Sequence, residues 1–225
     1  MNTLLTAPLA PLLTRLFAEA QAADAPMRAR IAQSSPAERS ELMNRAATDY
    51  RGFYGLAKEM YLPVSPETGR LLYILARSIR ARSIIEFGTS FGLSTLHLAA
   101  ALQDNGGGQL IGSEFEPEKV ARARENVRLA GLSAWVEIRE GDATETLAHD
   151  LPVSVDLLLL DGAKVLYPQI LALVEGRLRP GALVLADNAD HNPEFLRYVR
   201  DPRHGYVAVP FGDDVELFMR LHIRE

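Results

Sequence analysis

Between Ser83 and Asp187 the chain repeats one pattern, a short apolar run followed by an amphipathic stretch and then another apolar run. The runs are SIIEF, QLIGSE, WVEIRE, VDLLLL and ALVLAD, and between them lie LSTLHLAAAL, PEKVARARENVRLAG and YPQILALVEGRL. Nearly continuous apolar strands have both faces covered, and their alternation with helices builds a parallel sheet with helices on either side. The expected fold class is α/β, a doubly wound, mostly parallel sheet. The stretch GYVAVPFGDDVELFMRL reads as two strands about a Gly-Asp-Asp turn, an antiparallel C-terminal hairpin. Residues 1–80 read differently, as an N-terminal α-helical arm. There Ser35-Pro36-Ala37-Glu38 has the form of an N-cap followed by proline, and Leu71, Leu72, Leu75 and Ile79 recur at helical spacing. The arm (1–80) and the core (81–225) are expected to form one domain. With 225 residues and 48% hydrophobic content, such a domain buries roughly 70% or more of the surface its unfolded chain exposes.

Charge and composition exclude several classes of function. The net charge is −5, with Lys and Arg scattered, so no electrostatic footprint for nucleic acid is present and the expected partners are small molecules. The chain has no cysteine, which removes disulfides, thiolate metal sites and cysteine nucleophiles. The opening stretch MNTLLTAPLAPLLTRLFAEAQAADA is apolar, yet it lacks a basic n-region and carries Pro8, Pro11 and Arg15 where a secretory signal would be apolar. No segment approaches the ~18 uninterrupted apolar residues that span a bilayer. A cytoplasmic protein with no membrane partner is expected.

In an open α/β sheet, ligands bind at the carboxyl ends of the strands, so the residues closing each strand belong together. The first closes with EFGTSFGLST, residues 86–95, in which Gly88 and Gly92 permit a turn and close approach to a ligand, and Ser94 opens the next helix. Ser90 stands where a dinucleotide fingerprint places its second glycine, and Glu86 at the tip repels phosphate but suits a cationic ligand. The second strand closes with Glu114, which reads either as a ribose acceptor or as a solvated acid. The third closes with Gly141-Asp142-Ala143, where Asp142 either caps the next helix or receives an adenine amino group. A nucleoside carrying positive charge rather than phosphates satisfies all three tips, and S-adenosylmethionine is such a ligand.

From about Val64 to Phe195 the chain resembles the class I S-adenosylmethionine-dependent O-methyltransferases, and within them the metal-dependent catechol O-methyltransferase-like family. The resemblance implies a Rossmann-like core and a homodimer, which the apolar arm suits. It also implies cofactor-binding roles for Val64, Glu86, Gly88, Ser94, Glu114, Asp142, Ala143 and Asp161. The family's Asp-x-x-Lys matches Asp161 and Lys164, and its Asp-Asn at the next tip matches Asp187 and Asn188. In relatives the three oxygen ligands matching Asp161, Asp187 and Asn188 hold a divalent cation, usually Mg²⁺.

The same residues suit a metal on chemical grounds, because two carboxylates and an amide supply only hard oxygen donors. Read alone, Asp187-Asn188 is equally an ordinary turn or helix cap, and Lys164 a surface lysine. His191 reads as a loop histidine near the mouth. Lys164, partly desolvated beside a cation, is expected to have its pKa lowered toward neutrality and to act as general base toward a metal-bound aromatic hydroxyl. Phe53, Tyr54, Tyr61 and Tyr167 are candidates for the acceptor pocket or for core packing. The chain departs from the family after Asn188: it lacks the Leu-Trp of many relatives, and the acid that orients a second hydroxyl is matched at most by Asp213 or Asp214. Two other readings stay open, a nicotinamide-dependent oxidoreductase on a similar sheet and a noncatalytic S-adenosylmethionine-binding protein.

Overall fold

Seven strands form the sheet: β1 (Ser83–Phe87), β2 (Gln109–Glu114), β3 (Val136–Glu140), β4 (Val155–Leu160), β5 (Leu178–Ala186), β6 (Tyr206–Phe211) and β7 (Val215–Arg220). The computed structural model describes residues 2–212 and 214–222. The strand order is β3-β2-β1-β4-β5-β7-β6. The first five are parallel, β7 runs antiparallel to β5, and β6 antiparallel to β7, which is the hairpin expected from the sequence.

The consecutive leucines of β4 show why its run is wholly apolar. Leu157 and Leu159 pack with Leu72 and Ala76 of α4 (Pro66–Ser78) and with Leu98 and Leu102 of α5 (Leu93–Asp104). Leu158 and Leu160 point the other way, toward Ile170 and Val174 of α8 (Tyr167–Glu175) and Phe195 of α9 (Pro193–Val199). All four are fully buried, and at about 2 kcal/mol each their burial is a major part of what holds the three layers together. Between β2 and β3 lies α6 (Pro117–Leu129), and α7 (Ala143–Thr146) follows β3.

The arm consists of α1 (Leu9–Gln33), α2 (Pro36–Thr48), α3 (Tyr50–Leu56) and the segment leading into α4. Leu9, Leu12, Leu13, Leu16 and Ala20 bury one stripe of α1 in a cluster with Leu96 and Ala99 of α5 and Val120 and Ala123 of α6. Ser35 caps α2 in a reciprocal box: its hydroxyl accepts from the Glu38 amide, and the Glu38 carboxylate accepts from the Ser35 amide. Asp24 of α1, 1% exposed, accepts the backbone N–H groups of Tyr61 and Leu62 at 2.8 and 3.0 Å. That bond fixes the 61–64 segment against the core. One difference from the sequence reading stands out: β5 begins at Leu178, before the ALVLAD run. The segment after Asn188 contains α9, opened by an Asn192 side chain that accepts from the Phe195 amide. Among the described residues no helix is long and apolar enough to cross a membrane.

Candidate active site

The chain winds outward from β1 through β2 to β3 and then returns to β4 on the other side of β1, so a crevice opens at the carboxyl ends of β1 and β4. The two strands approach closely there: the Asp161 N–H donates to the Phe87 carbonyl at 2.8 Å, and a Cβ on Gly88 would stand 2.6 Å from the Asp161 carbonyl group. Gly88 also has φ +95°. Glycine at this position is therefore demanded by the neighbouring strand as well as by any ligand.

Above the strand ends lies a cavity of about 1560 Å³, larger than the ~300–1,000 Å³ typical of a site for one small molecule. Val64, Gly88, Glu114, Asp142 and Ala143 line one part, and Asp161, Lys164, Asp187 and Asn188 another; α1, α2 and α3 contribute to the wall.

Two of the residues singled out in the sequence lie below the turn, away from the cavity wall. Glu86 is fully buried, and its carboxylate accepts the hydroxyls of Ser94 at 2.7 Å, Thr95 at 2.5 Å and Thr89 at 3.0 Å. Burial raises its pKa against the effect of those three donors. Its side chain organises the glycine turn, and Ser94 serves Glu86. Glu114 does reach the cavity, where its two oxygens accept the Ser90 and Glu116 amides at 2.8 and 3.0 Å. Asp142 caps α7 and accepts from the Thr144 amide and hydroxyl, the Tyr50 hydroxyl and the Arg51 guanidinium. Burial works to raise its pKa, but these donors hold it at about 2. Its capping role is met, and its oxygens are already engaged by the arm.

The other part is built differently. Asp161 is accompanied by Lys164, whose Nζ lies 3.2 Å from Oδ1, and Asp187, at the tip of the next strand, lines the same part of the cavity. Burial, then the neighbouring Asp161 charge, push Asp187 up to about 8, and burial raises Asp161 as well. The sequence expectation for Lys164 concerns a lysine beside a cation; among the protein's own groups burial disfavours its charge, but Tyr167, Asp161, Asp187 and Tyr54 together outweigh desolvation and hold its pKa above the ordinary lysine range. Asn188 adopts φ 48°, and its Nδ2 donates to Asp214 at 3.1 Å, which leaves its amide oxygen as the available donor. Asp214 therefore lies at the site, while Asp213 is outside the described residues. Among the described residues no three His, Cys, Asp or Glu side chains gather as a metal cluster.

The aromatic candidates divide. Phe53 and Tyr54, edge to face at 5.2 Å, line the cavity. Tyr167 is fully buried and its hydroxyl bridges the Leu160 and Asp187 carbonyls at 2.8 and 2.7 Å, tying the tips of β4 and β5 together. Tyr61 is buried and stacked on Phe91 at 4.0 Å. His191 is at the cavity wall, 43% exposed. The sequence reading missed Tyr50 and Arg51 as partners of Asp142, and it missed Lys119, a lysine on the apolar stripe formed by Val120, Ala123 and Val127. A charged residue on a buried face was the signal.

Residues 85–189 match the family described as "Methyltransferase domain". The chain is 36% identical over 138 residues to the catechol O-methyltransferase of Niastella koreensis, a match covering 60% of this chain and 62% of that protein. It is 32% identical over 170 residues to a Mycobacterium sp. (strain JLS) protein named as an O-methyltransferase, covering 67% of this chain and 76% of the relative. Among solved structures it is similar to the O-methyltransferase TomG of Streptomyces achromogenes in complex with SAM, with a TM-score of 0.65 and 26% identity over 81% of this chain and 90% of that one. On the strength of the methyltransferase-domain match, of a relative 32% identical and covered over three quarters of its length, and of the shared fold, the chain belongs to the S-adenosylmethionine-dependent O-methyltransferases.

Proposed function

We propose that this protein transfers the methyl group of S-adenosylmethionine to a hydroxyl oxygen of a small phenolic or catecholic acceptor, with a divalent cation assisting. One observation carries the reading: a pair of half-buried carboxylates at adjacent strand tips and a lysine share a cavity with the Gly88 turn and Glu114. The donors suit the groups proposed. Asp161, Asp187 and the Asn188 amide oxygen form an all-oxygen set for Mg²⁺, and the burial that raises both acids is a penalty a cation offsets. Glu114 is the acceptor suited to a ribose, and Val64, Gly88, Asp142 and Ala143 line the same part of the cavity.

A bound divalent cation would supply the charge that acidifies an acceptor hydroxyl, and the sulfonium of S-adenosylmethionine the methyl group. The protein's own residues do the rest. Lys164 takes the hydroxyl proton at Nζ, for which it must first be neutral. Asp161 and Asp187 oppose that state while they are ionised, and neutralising them favours it. Phe53 and Tyr54 form an apolar wall that orients an aromatic ring and keeps water away. Opposite charges cancel as the oxyanion meets the sulfonium, so alignment of the reactants, worth up to ~7–11 kcal/mol, contributes more than stabilisation of charge.

The test is a screen of phenols and catechols with methyl-labelled S-adenosylmethionine, with and without Mg²⁺. Label is expected on the acceptor oxygen in the presence of metal. Tighter binding of NAD than of S-adenosylmethionine, or transfer undiminished in excess chelator, would overturn the cofactor and metal parts respectively.

A further inference from the structure

Lys119 of α6 is 5% exposed, yet its ammonium has no hydrogen-bond or ion-pair partner among the described residues. Its stem runs along the buried stripe of the helix, and Nζ lies 5.6 Å from the centroid of the Phe91 ring, which stacks in turn on Tyr61. The residue lines the cavity. Four carboxylates face it, those of Glu114, Asp24, Glu116 and Asp161, with Glu114 exerting the largest effect. Three of these are engaged elsewhere. Glu114 accepts the Ser90 and Glu116 amides, Asp24 the Tyr61 and Leu62 amides, and Asp161 the Lys164 ammonium. Its Nζ opens to the cavity, and a face of Phe91 supplies only part of what an acceptor there would. The residue gains a partner when something enters the cavity beside Glu114.

We infer that Lys119 is a second ribose contact, donating from Nζ to the oxygen of a vicinal diol whose protons Glu114 accepts. The inference rests on the adenosyl reading of the cavity. It follows from complementary chemistry: a hydroxyl is both donor and acceptor, a carboxylate only accepts and an ammonium only donates, so the two together satisfy a ribose edge that Glu114 alone leaves half satisfied. Among the described residues no acceptor takes its protons, and the Phe91 face holds the ammonium in place without occupying them. Glu114 and Lys119 are five residues apart, at the end of β2 and in the first turn of α6, so the loop between them fixes their separation.

The experiment measures binding by calorimetry for wild type and Lys119→Met, a substitution that keeps the stem and its contact with Phe91. The ligands are S-adenosylhomocysteine, 5′-methylthioadenosine, which lacks the amino-acid end, and the 2′-deoxy and 3′-deoxy forms of methylthioadenosine. Lys119→Met is expected to weaken S-adenosylhomocysteine and methylthioadenosine by the same factor, roughly 10- to 100-fold for a lost charged hydrogen bond, and at least one deoxy ligand by less than about threefold. Because the comparison is between ligands on one variant, a general change in folding does not reproduce it. Weakening of S-adenosylhomocysteine alone would move the ammonium to the ligand's carboxylate and overturn the ribose contact, as would equal binding by both proteins. If wild type binds none of the adenosyl ligands, the cofactor reading itself falls; if wild type binds and the variant binds equally, only this inference does.

Discussion

The acids at the two ends of the cavity are treated in opposite ways by the rest of the molecule. At the Glu114 end, Asp142 accepts five hydrogen bonds from three residues and Glu114 two backbone amides, and Glu86, beneath the turn, accepts three hydroxyls. At the other end, a single lysine serves Asp161 and Asp187. Both ends are well shielded from solvent, so burial alone does not explain the contrast. A carboxylate surrounded by protein donors belongs to the fold, and removing it costs stability. A pair short of donors is destabilised by the fold and becomes comfortable only when a cation arrives, which is how a binding site differs from a structural network.

The sharpest way to break this comparison is to remove the proposed cation. Chelation is expected to abolish turnover and Mg²⁺ or Mn²⁺ to restore it, while Asp187→Ala resists rescue at ordinary metal concentrations. The Asp187→Ala protein should be at least as stable as wild type without metal, because it removes one of two repelling acids. Thermal unfolding in chelator decides this; a clear loss of stability would class Asp187 with the structural acids.

Next in size is Lys164. Lys164→Met is expected to lower turnover by about 10²–10⁴-fold, the usual worth of a general base, with S-adenosylhomocysteine binding retained. The deficit should shrink for phenols already ionised at assay pH. Rates of both proteins across phenols of graded pKa are the measurement, and a deficit independent of acceptor pKa reduces Lys164 to a positioning role.

How much of this was legible beforehand depends on the range of the forces involved. QLIGSE and VDLLLL are strands from end to end because an apolar run between polar breaks has one place to go in a two-faced sheet. The strand-tip acids and Lys164 stand out for the same reason, since each interrupts such a run. The saturation of Asp142 is not legible, because Tyr50 and Arg51 come from 92 and 91 residues away through a fold of the arm that no local pattern encodes. Nor does sequence separate Tyr54, at the cavity, from Tyr167, which locks two strand ends: both are aromatic residues in helical stretches, and only packing distinguishes them. The lowered pKa expected for Lys164 belongs to a lysine beside a cation, whereas the raising effects of Tyr167, Asp161, Asp187 and Tyr54 come from packing that no local pattern encodes.

Glu114 stands between the two classes, since it both organises the turn and faces the cavity. Glu114→Ala is expected to weaken S-adenosylmethionine binding by roughly 1.5–3 kcal/mol, as for the loss of a charged hydrogen-bonded pair. Calorimetry gives the affinity and thermal unfolding the stability. A large drop in stability with affinity unchanged would place Glu114 wholly among the structural acids.

The smallest effect concerns Asp142, and it tests the structural half of the comparison through pH. Its folded pKa of about 2 lies below the ordinary aspartate value near 3.9, so the native state favours the ionised form. A depressed carboxyl pKa contributes stability that is present above the unfolded value and declines as pH falls toward the folded one, here between pH 4 and 2. The contribution is on the order of 1 kcal/mol, because the Arg51 side chain that meets it is 64% exposed and screened by water. Asp142→Asn keeps the size of the side chain and removes its charge. Urea unfolding of the two proteins from pH 7 to pH 3 should show a gap of that order at neutral pH that narrows below pH 4, all other carboxylates titrating alike in both. Affinity for S-adenosylhomocysteine should change less than in Glu114→Ala, since Asp142 already spends its oxygens on Thr144 and the arm. A gap that stays constant down to pH 3 would show that shape rather than charge holds the arm to the core.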